Sequence, residues 1–220
     1  MKKYEFTGET KQVELLSRTA TLHRIRAVAG FGIIKIGDLG GWIEKEENLS
    51  HEGVAWVYGN AKVCGNAEVW GNAKVCGDAK VYGNAEVCGN AKVCGDAEVC
   101  GDAKVCGNAE VCGNAEVCGD AKVYGNAKVC GDAEVFSTSH VLVIGAIGSR
   151  NDFTTFFRDK DNEITVKCGC FLGKIDKFLE KVTATHGDSK YALIYRAAVE
   201  VARLQIDLVS DVDKYEEVGK

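Results

Sequence analysis

The sequence predicts a mainly β protein in which short parallel strands stack into a solenoid, and three observations predict it. Thirteen consecutive copies of a six-residue unit, V-x-G-[N/D]-A-[K/E], run from Val57 to Glu134 without an insertion or deletion. Self-similarity at a fixed short period is typical of structures in which each unit contacts only its neighbours. The unit alternates apolar and charged residues, and it leaves no room for a helix or a long crossover connection.

Each unit contains one strand and one corner. Ala-[K/E]-Val-x alternates small apolar, charged, apolar and variable residues, which is the period of two of a strand with one buried face. Gly-[N/D] follows, and because both residue types tolerate positive φ, the chain can turn a corner there. If three units close one turn, the solenoid is a triangular prism with 18 residues per coil. We therefore expect valine and alanine inside, and Lys, Glu and the x residue outside.

Sixteen units, counting degenerate ones at both ends, span residues 51–146 and give about five coils. At ~4.8 Å per coil the rod is roughly 25 Å long. Each buried valine contributes on the order of 1.5–3 kcal/mol, so stacked valine columns can stabilise the rod. The Gly-[N/D] corners lack the following helix of a phosphate-binding loop, and we interpret them as structural.

The unit resembles the hexapeptide repeat of the left-handed β-helix family, with an aliphatic residue at its first position and a small residue at its fifth. The resemblance covers roughly 96 of the 220 residues. It alone implies a left-handed coil, against the usual right-handed rule for parallel connections. With the segment 37–44 (GDLGGWIE) before the coils and 168–171 (CGCF) after them, the chain is also similar to uncharacterised hexapeptide-repeat proteins of phages and prophages.

Nine of the 11 cysteines occupy the x position of the repeat. Taking every eighteenth residue assigns the x residues to three outer walls. The first wall holds Tyr58, Cys76, Cys94, Cys112 and Cys130, the second Cys64, Tyr82, Cys100, Cys118 and Phe136, and the third Trp70, Cys88, Cys106, Tyr124 and Leu142. We expect reduced thiols, because the sequence shows no export signal. Vertical disulfides are nevertheless sterically allowed at this spacing.

Three interpretations of the cysteine walls stay open. Cysteine can be a small strand residue copied by repeat duplication, part of a wall buried in an oligomer, or a ligand for a soft metal. A flat column does not provide the tetrahedron that zinc needs, so no metal and no cofactor are expected.

The two ends of the chain have different compositions, as solenoid caps require. Residues 1–50 are predicted to form an N-terminal β cap, with a strand at residues 21–28, a turn at 40–42 and Trp42 as a lid over the first coil. Residues 147–220 are predicted to form a small α+β domain. Its strands at 152–158 and 163–168 pair across the turn-rich tetrad 159–162, and two segments with helical spacing follow. The apolar residues at that spacing are Ile175, Phe178, Leu179 and Val182 in the first segment, and Tyr191, Ile194, Ala198, Val201 and Ala202 in the second.

A candidate ligand-binding site is predicted in this C-terminal domain. The segment 168–173 is expected to join a strand to a helix, and helix N-termini attract anions. Basic and hydroxyl-bearing residues cluster around it in a chain that is acidic overall, with a formal charge of −5. The candidates are Ser149, Arg150, Thr154, Thr155, Arg158, Lys167, Gly169, His186 and Lys190. Cys168 and Cys170 lack a second pair, which makes a metal site there a weak signal.

Three functions are compatible with these features. The first is a non-enzymatic scaffold of phage type, trimeric by preference, whose C-terminal domain sequesters a host factor or a small anionic nucleotide. The second, implied by the family resemblance, is an acyl-CoA-dependent acyltransferase, which needs a histidine as general base. Only His51 and His140, at the margins of the repeat, could serve, and His140 is the weak catalytic candidate. The third is a purely structural spacer.

Bulk properties exclude other partners. The acidic charge balance disfavours binding to duplex nucleic acid. No stretch approaches the roughly 18 apolar residues that span a membrane. We therefore expect a cytoplasmic homo-oligomer, located in the host-cell cytoplasm if a phage encodes it.

Overall fold

The computed structural model describes residues 2–15 and 18–208. Its N-terminal strands are β1 (Tyr4–Glu14), β2 (Thr19–Ala27) and β3 (Leu39–Ile43). The solenoid strands are β4 (Trp56–Val57), β5 (Lys62–Val63), β6 (Glu68–Val69), β7 (Lys74–Val75), β8 (Lys80–Val81), β9 (Glu86–Val87), β10 (Lys92–Val93), β11 (Glu98–Val99), β12 (Lys104–Val105), β13 (Glu110–Gly113), β14 (Glu116–Val117), β15 (Lys122–Val123), β16 (Lys128–Gly131) and β17 (Glu134–Val135). The C-terminal elements are β18 (Val141–Ile147), β19 (Asp152–Arg158), β20 (Ile164–Cys168), β21 (Phe171–Lys174), α1 (Ile175–His186) and α2 (Lys190–Gln205), and short 3₁₀ helices lie at Glu46–Asn48 and Thr138–His140.

The repeat forms a parallel β-solenoid of about five coils, which confirms the predicted fold class. Strands eighteen residues apart pair in parallel and in register, so that Val63 lies beside Val81 and Val99 beside Val117. Three sheets result, with the orders β4-β7-β10-β13-β16, β5-β8-β11-β14-β17 and β6-β9-β12-β15. Their outer faces are the first, second and third walls of the sequence prediction.

The interior is built from the valine and alanine of each unit. All of them in the thirteen units are at most 1% exposed, and they belong to one continuous hydrophobic cluster that ends at Phe157. The x-position cysteines are not part of that cluster. The predicted side-chain directions are therefore confirmed.

The corners explain the glycine and the Asn/Asp of the unit. Every repeat glycine has a positive φ, between 55° and 80°. A Cβ at Gly101 would lie 2.9 Å from the backbone nitrogen of Gly119, so stacking leaves no room for a side chain there. The corner amides form hydrogen-bonded ladders, in which Asn72 donates to Asn90 at 2.9 Å and Asn90 to Asn108 at 2.9 Å. The sequence prediction missed these ladders.

The N-terminal cap continues the second sheet. β3 pairs in parallel with β5, β2 pairs antiparallel with β3, and β1 with β2. The predicted strand at 21–28 is confirmed as β2, but the predicted turn at 40–42 is wrong because these residues lie inside β3. A Cβ at Gly41 would lie 2.6 Å from the carbonyl oxygen of Ala61, so glycine here permits close approach of the strand to the first coil.

Trp42 is not the lid that the sequence predicted. Its ring is half-buried on the outer face, with the Lys11 ammonium 4.1 Å from the ring centroid. The fully buried tryptophan is Trp56, which occupies the Lys/Glu position of the repeat. Phe31 and Tyr4 pack edge-on against it, at centroid distances of 5.3 and 6.2 Å. The cap therefore covers the side of the first coil at the residue where the repeat departs from Lys or Glu.

The C-terminal part is a four-stranded antiparallel sheet, β18-β19-β20-β21, with α1 and α2 packed on it. The hairpin and the two helices were predicted, and β18 and β21 were not. The segment 168–171 turns from β20 into β21, since Cys168 pairs with Phe171, so the predicted strand-to-helix joint at this point is wrong. The sheet begins at Val141, and the domain boundary at 146/147 stays a prediction. No helix within the described residues is long and apolar enough to cross a membrane.

Candidate functional site

The C-terminal sheet divides the predicted ligand-binding residues between its two faces. Thr154 faces the helices, and its hydroxyl lies 3.3 Å from the Cys168 sulfur. Thr155 faces the last coil, where its hydroxyl accepts a hydrogen bond from the Lys128 backbone N–H at 3.0 Å. Lys167 pairs with Thr155 in register and lies on that same face. These three residues therefore do not line one pocket.

On the helix side, the structure brings several of the other candidates together around a tyrosine that the sequence prediction missed. A Cβ at Gly148 would lie 2.0 Å from the Tyr195 hydroxyl, which places that phenol beside the turn holding Ser149. The Arg150 guanidinium lies over Gly169, with Nη1 2.9 Å from the position of a Cβ there. His186 stacks on Tyr195 at a centroid distance of 5.8 Å. Burial, followed by the neighbouring Cys168, raises the pKa of Tyr195.

Tyr195 was missed because the helical face of α2 was misassigned. The sequence prediction placed Ile194 and Val201 on the buried face, but they are 38% and 48% exposed. The buried residues are Ala192, Tyr195, Ala198, Val199 and Ala202. A face shifted by one position also fits the 3.6-residue period, and this alternative would have identified the tyrosine.

Two predicted residues lie away from this cluster. Arg158 is buried at the end of the second wall, with its guanidinium 3.6 Å from Glu134 and 5.2 Å from the centroid of the Phe136 ring. Lys190 is exposed at the start of α2, with its ammonium 5.2 Å from the Tyr191 ring. The nine predicted residues therefore form one partial cluster, not a single site.

The two candidate general bases, His140 and His51, both accept hydrogen bonds from backbone N–H groups. His140 is fully buried, and its Nδ1 accepts a hydrogen bond from the Phe136 N–H at 3.1 Å. His51 stacks on Tyr4 at 4.3 Å, and its Nδ1 accepts a hydrogen bond from the Lys3 N–H at 3.3 Å. Burial lowers the pKa of His51. The His51 side chain stays 28% exposed, with its Nε2 3.8 Å from the Glu46 carboxylate.

The x-position cysteines include three disulfides: Cys88–Cys106, Cys100–Cys118 and Cys112–Cys130. Their Cα separations of 4.7, 4.5 and 4.6 Å follow from in-register stacking and lie in the normal range for disulfides. The reduced state predicted for these six cysteines is therefore wrong in the structure. The free thiols are Cys64, Cys76, Cys94, Cys168 and Cys170. Across the described residues, no three His, Cys, Asp or Glu side chains are grouped to hold a metal.

A groove of about 570 Å³ runs along the second wall, and the sequence analysis did not predict it. The x residues of four coils form its floor, and its rim is formed by Leu15, which follows β1, and Arg18, which precedes β2. The lining side chains are Leu15, Arg18, Tyr82, Cys100, Cys118 and Phe136, with repeat glycines between them. The floor is therefore apolar, and its two central sulfurs belong to one disulfide. We call this feature the second-wall groove.

A column of charged residues runs beside the second-wall groove, two positions earlier in each strand. Glu98, Glu116 and Glu134 stack in register. Lys80 lies 2.5 Å from Glu98, and Arg158 lies at Glu134. Burial, then the neighbouring Glu134 and Glu98 carboxylates, raises the pKa of Glu116. At the rim, Arg18 is paired with Glu44 at 2.5 Å. Glu116 therefore lies between two carboxylates that each have a cationic partner.

Comparisons with known proteins add no assignment to this geometry. A scan against protein-family models finds no match to the chain, and a search of curated proteins finds no match either. Left-handedness and similarity to phage proteins therefore stay predictions from the repeat. What the site does has to follow from the groove, the C-terminal cluster and their charges.

Proposed function

We propose that this protein is a non-enzymatic binding protein, in which a rigid solenoid holds a short apolar and basic segment of a partner protein in the second-wall groove. One observation carries the proposal: an apolar groove lies beside three stacked carboxylates, Glu98, Glu116 and Glu134. Exposed apolar grooves with polar edges are typical of interaction sites. The partner corresponds to the host factor that the sequence prediction considered.

The dimensions of the groove fit an extended polypeptide segment. From Gly65 to Phe136 it crosses four spacings between successive strands, which at ~4.8 Å each is about 19 Å. An extended segment of about six residues has this length at ~3.3 Å per residue. Its apolar side chains would contact Tyr82, the Cys100–Cys118 disulfide and Phe136. Its basic side chains would form charge-assisted hydrogen bonds with the glutamate column.

The surroundings of the groove favour binding over catalysis. Its floor offers no free nucleophile, because Cys100 and Cys118 are bonded to each other. His140, the weak candidate for an acyltransferase base, is fully buried. A purely structural spacer, the third candidate, needs no groove, and it does not need a partly buried Glu116 between two like charges. Like charges stacked this closely destabilise a sheet, which suggests a positively charged ligand.

Self-association into a trimer is part of the same proposal. Trp70 and Tyr124, both 44% exposed, lie on the third wall on either side of the Cys88–Cys106 disulfide. Packing of this wall against another copy would bury both rings and leave the second-wall groove open. Light scattering gives the mass directly: three chains are expected, and a monomer at all concentrations would remove this part of the proposal.

Location is also proposed, and two indications differ. The sequence favours the cytoplasm, that of the host cell for a phage protein, whereas the three disulfides are typical of oxidising compartments. Trapping thiols by alkylation in living cells distinguishes them. Recovery of eleven alkylated cysteines indicates a reducing compartment, and recovery of five indicates an oxidising one.

The test of the binding proposal uses two labelled hexapeptides, one alternating leucine with lysine and the other leucine with glutamate. Fluorescence anisotropy should show binding of the lysine peptide only, weakened by salt. Tyr82→Ser should reduce its affinity roughly tenfold, which is about 1.4 kcal/mol. Tyr58→Ser changes the same repeat position on the first wall and should have no effect. Equal binding of both peptides, or equal losses in both variants, would contradict the proposal.

A second candidate ligand is a small anionic nucleotide at the C-terminal cluster. The observation that favours it is the exposed Arg150 guanidinium over Gly169, beside Ser149. Calorimetry against a panel of nucleotides should detect binding that Arg150→Ala abolishes. Lys190→Ala removes an equally exposed positive charge outside the cluster and serves as the matched control. Absence of heat with every nucleotide would exclude this candidate without affecting the groove.

A further inference from the structure

The three disulfides differ in what lies next to them in their columns. On the second wall, Cys100–Cys118 lies between Tyr82 and Phe136, and on the third wall Cys88–Cys106 lies between Trp70 and Tyr124. Aromatic rings therefore flank both of these disulfides. On the first wall, the residues preceding Cys112–Cys130 are the free thiols Cys94 and Cys76.

Register aligns the four cysteines of the first wall in one row. β7 pairs with β10, β10 with β13 and β13 with β16, each in parallel and without a shift. Cys112 and Cys130 are register partners, and Cys94 donates its backbone N–H to Val111 at 2.9 Å. Because equivalent side chains point the same way, Cys94 lies on the side of Cys112 opposite Cys130. Thiol–disulfide exchange needs this arrangement of attacking, central and leaving sulfurs.

Lys92 is the part of the surroundings of Cys94 that favours an attacking thiolate. Cys94 is half-buried, and the free thiol of Cys76 lies one coil before it on the same wall. Burial raises the pKa of the Cys94 thiol, and the Lys92 ammonium opposes that rise. Lys92 is held beside the column by Glu110 at 3.6 Å. The thiolate, not the thiol, is the nucleophile, so exchange should be faster in mildly alkaline solution.

We propose that the first wall is an intramolecular disulfide relay. In the first step the Cys94 thiolate attacks the Cys112 sulfur, the Cys94–Cys112 bond forms, the Cys112–Cys130 bond breaks and Cys130 leaves as a thiolate. In the second step the Cys76 thiolate attacks Cys94 and releases Cys112. Each step exchanges one disulfide for another, so no external oxidant or reductant is consumed.

The two ends of the relay have different surroundings, which gives migration a consequence. Cys130 is 7% exposed and lines a cavity of about 210 Å³ between the last coil and the C-terminal sheet, together with Asp159 and Lys174. Cys76 is half-buried on the open wall beside Tyr58. Moving the disulfide toward Cys76 therefore creates a thiol in the cavity where the two parts of the molecule meet.

The test follows the Cys130 thiol in the intact protein. The protein is held without oxygen at about pH 9, where thiolates are abundant, then acidified, unfolded and alkylated. Trypsin should release residues 129–150, which contain Cys130 alone, and residues 75–80, which contain Cys76 alone. We expect alkylated Cys130 in at least about one tenth of the molecules, because each exchange replaces one disulfide between stacked coils by another in the same register. The number of thiols should stay at five throughout.

Two variants decide the mechanism. Cys94→Ser removes the attacking thiol and should leave Cys130 unalkylated. Cys76→Ser keeps the first step, so alkylated Cys130 should still be recovered. Alkylation of Cys130 in Cys94→Ser would mean reduction, not exchange, and would overturn the relay. An unalkylated Cys130 in every protein, or a fall to three thiols through a Cys76–Cys94 bond, would mean fixed disulfides and would also overturn it.

Discussion

The solenoid and its two ends are stabilised in different ways. In the solenoid, each coil repeats the contacts of the last, and valines and alanines are buried at the same positions throughout. At the ends, single residues make contacts that occur once. Trp56 takes a repeat position that elsewhere carries Lys or Glu, and Asp159 ties a hairpin turn to the last coil. The regular period specifies the solenoid, whereas departures from the period mark where the N-terminal cap and the C-terminal sheet pack on it.

The largest expected effect comes from breaking the N-terminal end. Trp56→Ala should lower the free energy of unfolding by about 3–5 kcal/mol, because it removes a fully buried ring beneath Phe31 and Tyr4. Trp70→Ala removes the same side chain from an open wall, where it is 44% exposed, and should cost less than about 1 kcal/mol. Urea titration measures both. Similar losses would show that the cap does not depend on Trp56.

The contact at the C-terminal end should be weaker and dependent on pH. Asp159 is 5% exposed and accepts hydrogen bonds from Thr165 and from Lys174, the latter at 2.5 Å. Burial acts to raise its pKa, but these bonds outweigh burial and leave the pKa below the ordinary 3.8. Asp159→Asn should therefore cost about 2–3 kcal/mol at neutral pH.

The pH dependence follows from the direction of that shift. A carboxyl whose pKa is lowered by folding contributes stability above its unfolded pKa and loses it as the pH falls. The free energies of unfolding of wild type and Asp159→Asn should therefore converge as the pH falls below 3.8, the ordinary pKa of aspartate. Asp161→Asn alters another carboxylate near Lys174, one that is 60% exposed, and should cost under about 0.5 kcal/mol. A constant difference at all pH values would remove the electrostatic explanation.

The same comparison explains what the sequence could predict. The period, the interior and the three walls follow from residues that recur at fixed intervals, so the structure of one repeat unit predicts that of the other units. The lid was assigned to Trp42 instead of Trp56 because the path of β1–β3 over the first coil has no repeat to reveal it. The second-wall groove was missed for a similar reason, since Leu15 and residues 65–136 meet only through the folded hairpin. Reduced cysteines were predicted because the sequence shows no export signal. The Cα–Cα distance between stacked cysteines, 4.5–4.7 Å in the structure, nevertheless allows disulfides.

The smallest expected effect comes from the corners of the repeat, and it tests whether coils are equivalent. Gly101 and Gly125 have nearly the same φ, 66° and 68°, so alanine at either position should cost about 1 kcal/mol for its backbone conformation. A Cβ at Gly101 would also meet the backbone of Gly119 at 2.9 Å, whereas nothing lies within 4 Å of one at Gly125. Gly101→Ala should therefore lose about 2 kcal/mol in total, because the next corner must shift. Equal losses by urea titration would show that φ alone requires the glycines, and that the stacked corners have room for a methyl group.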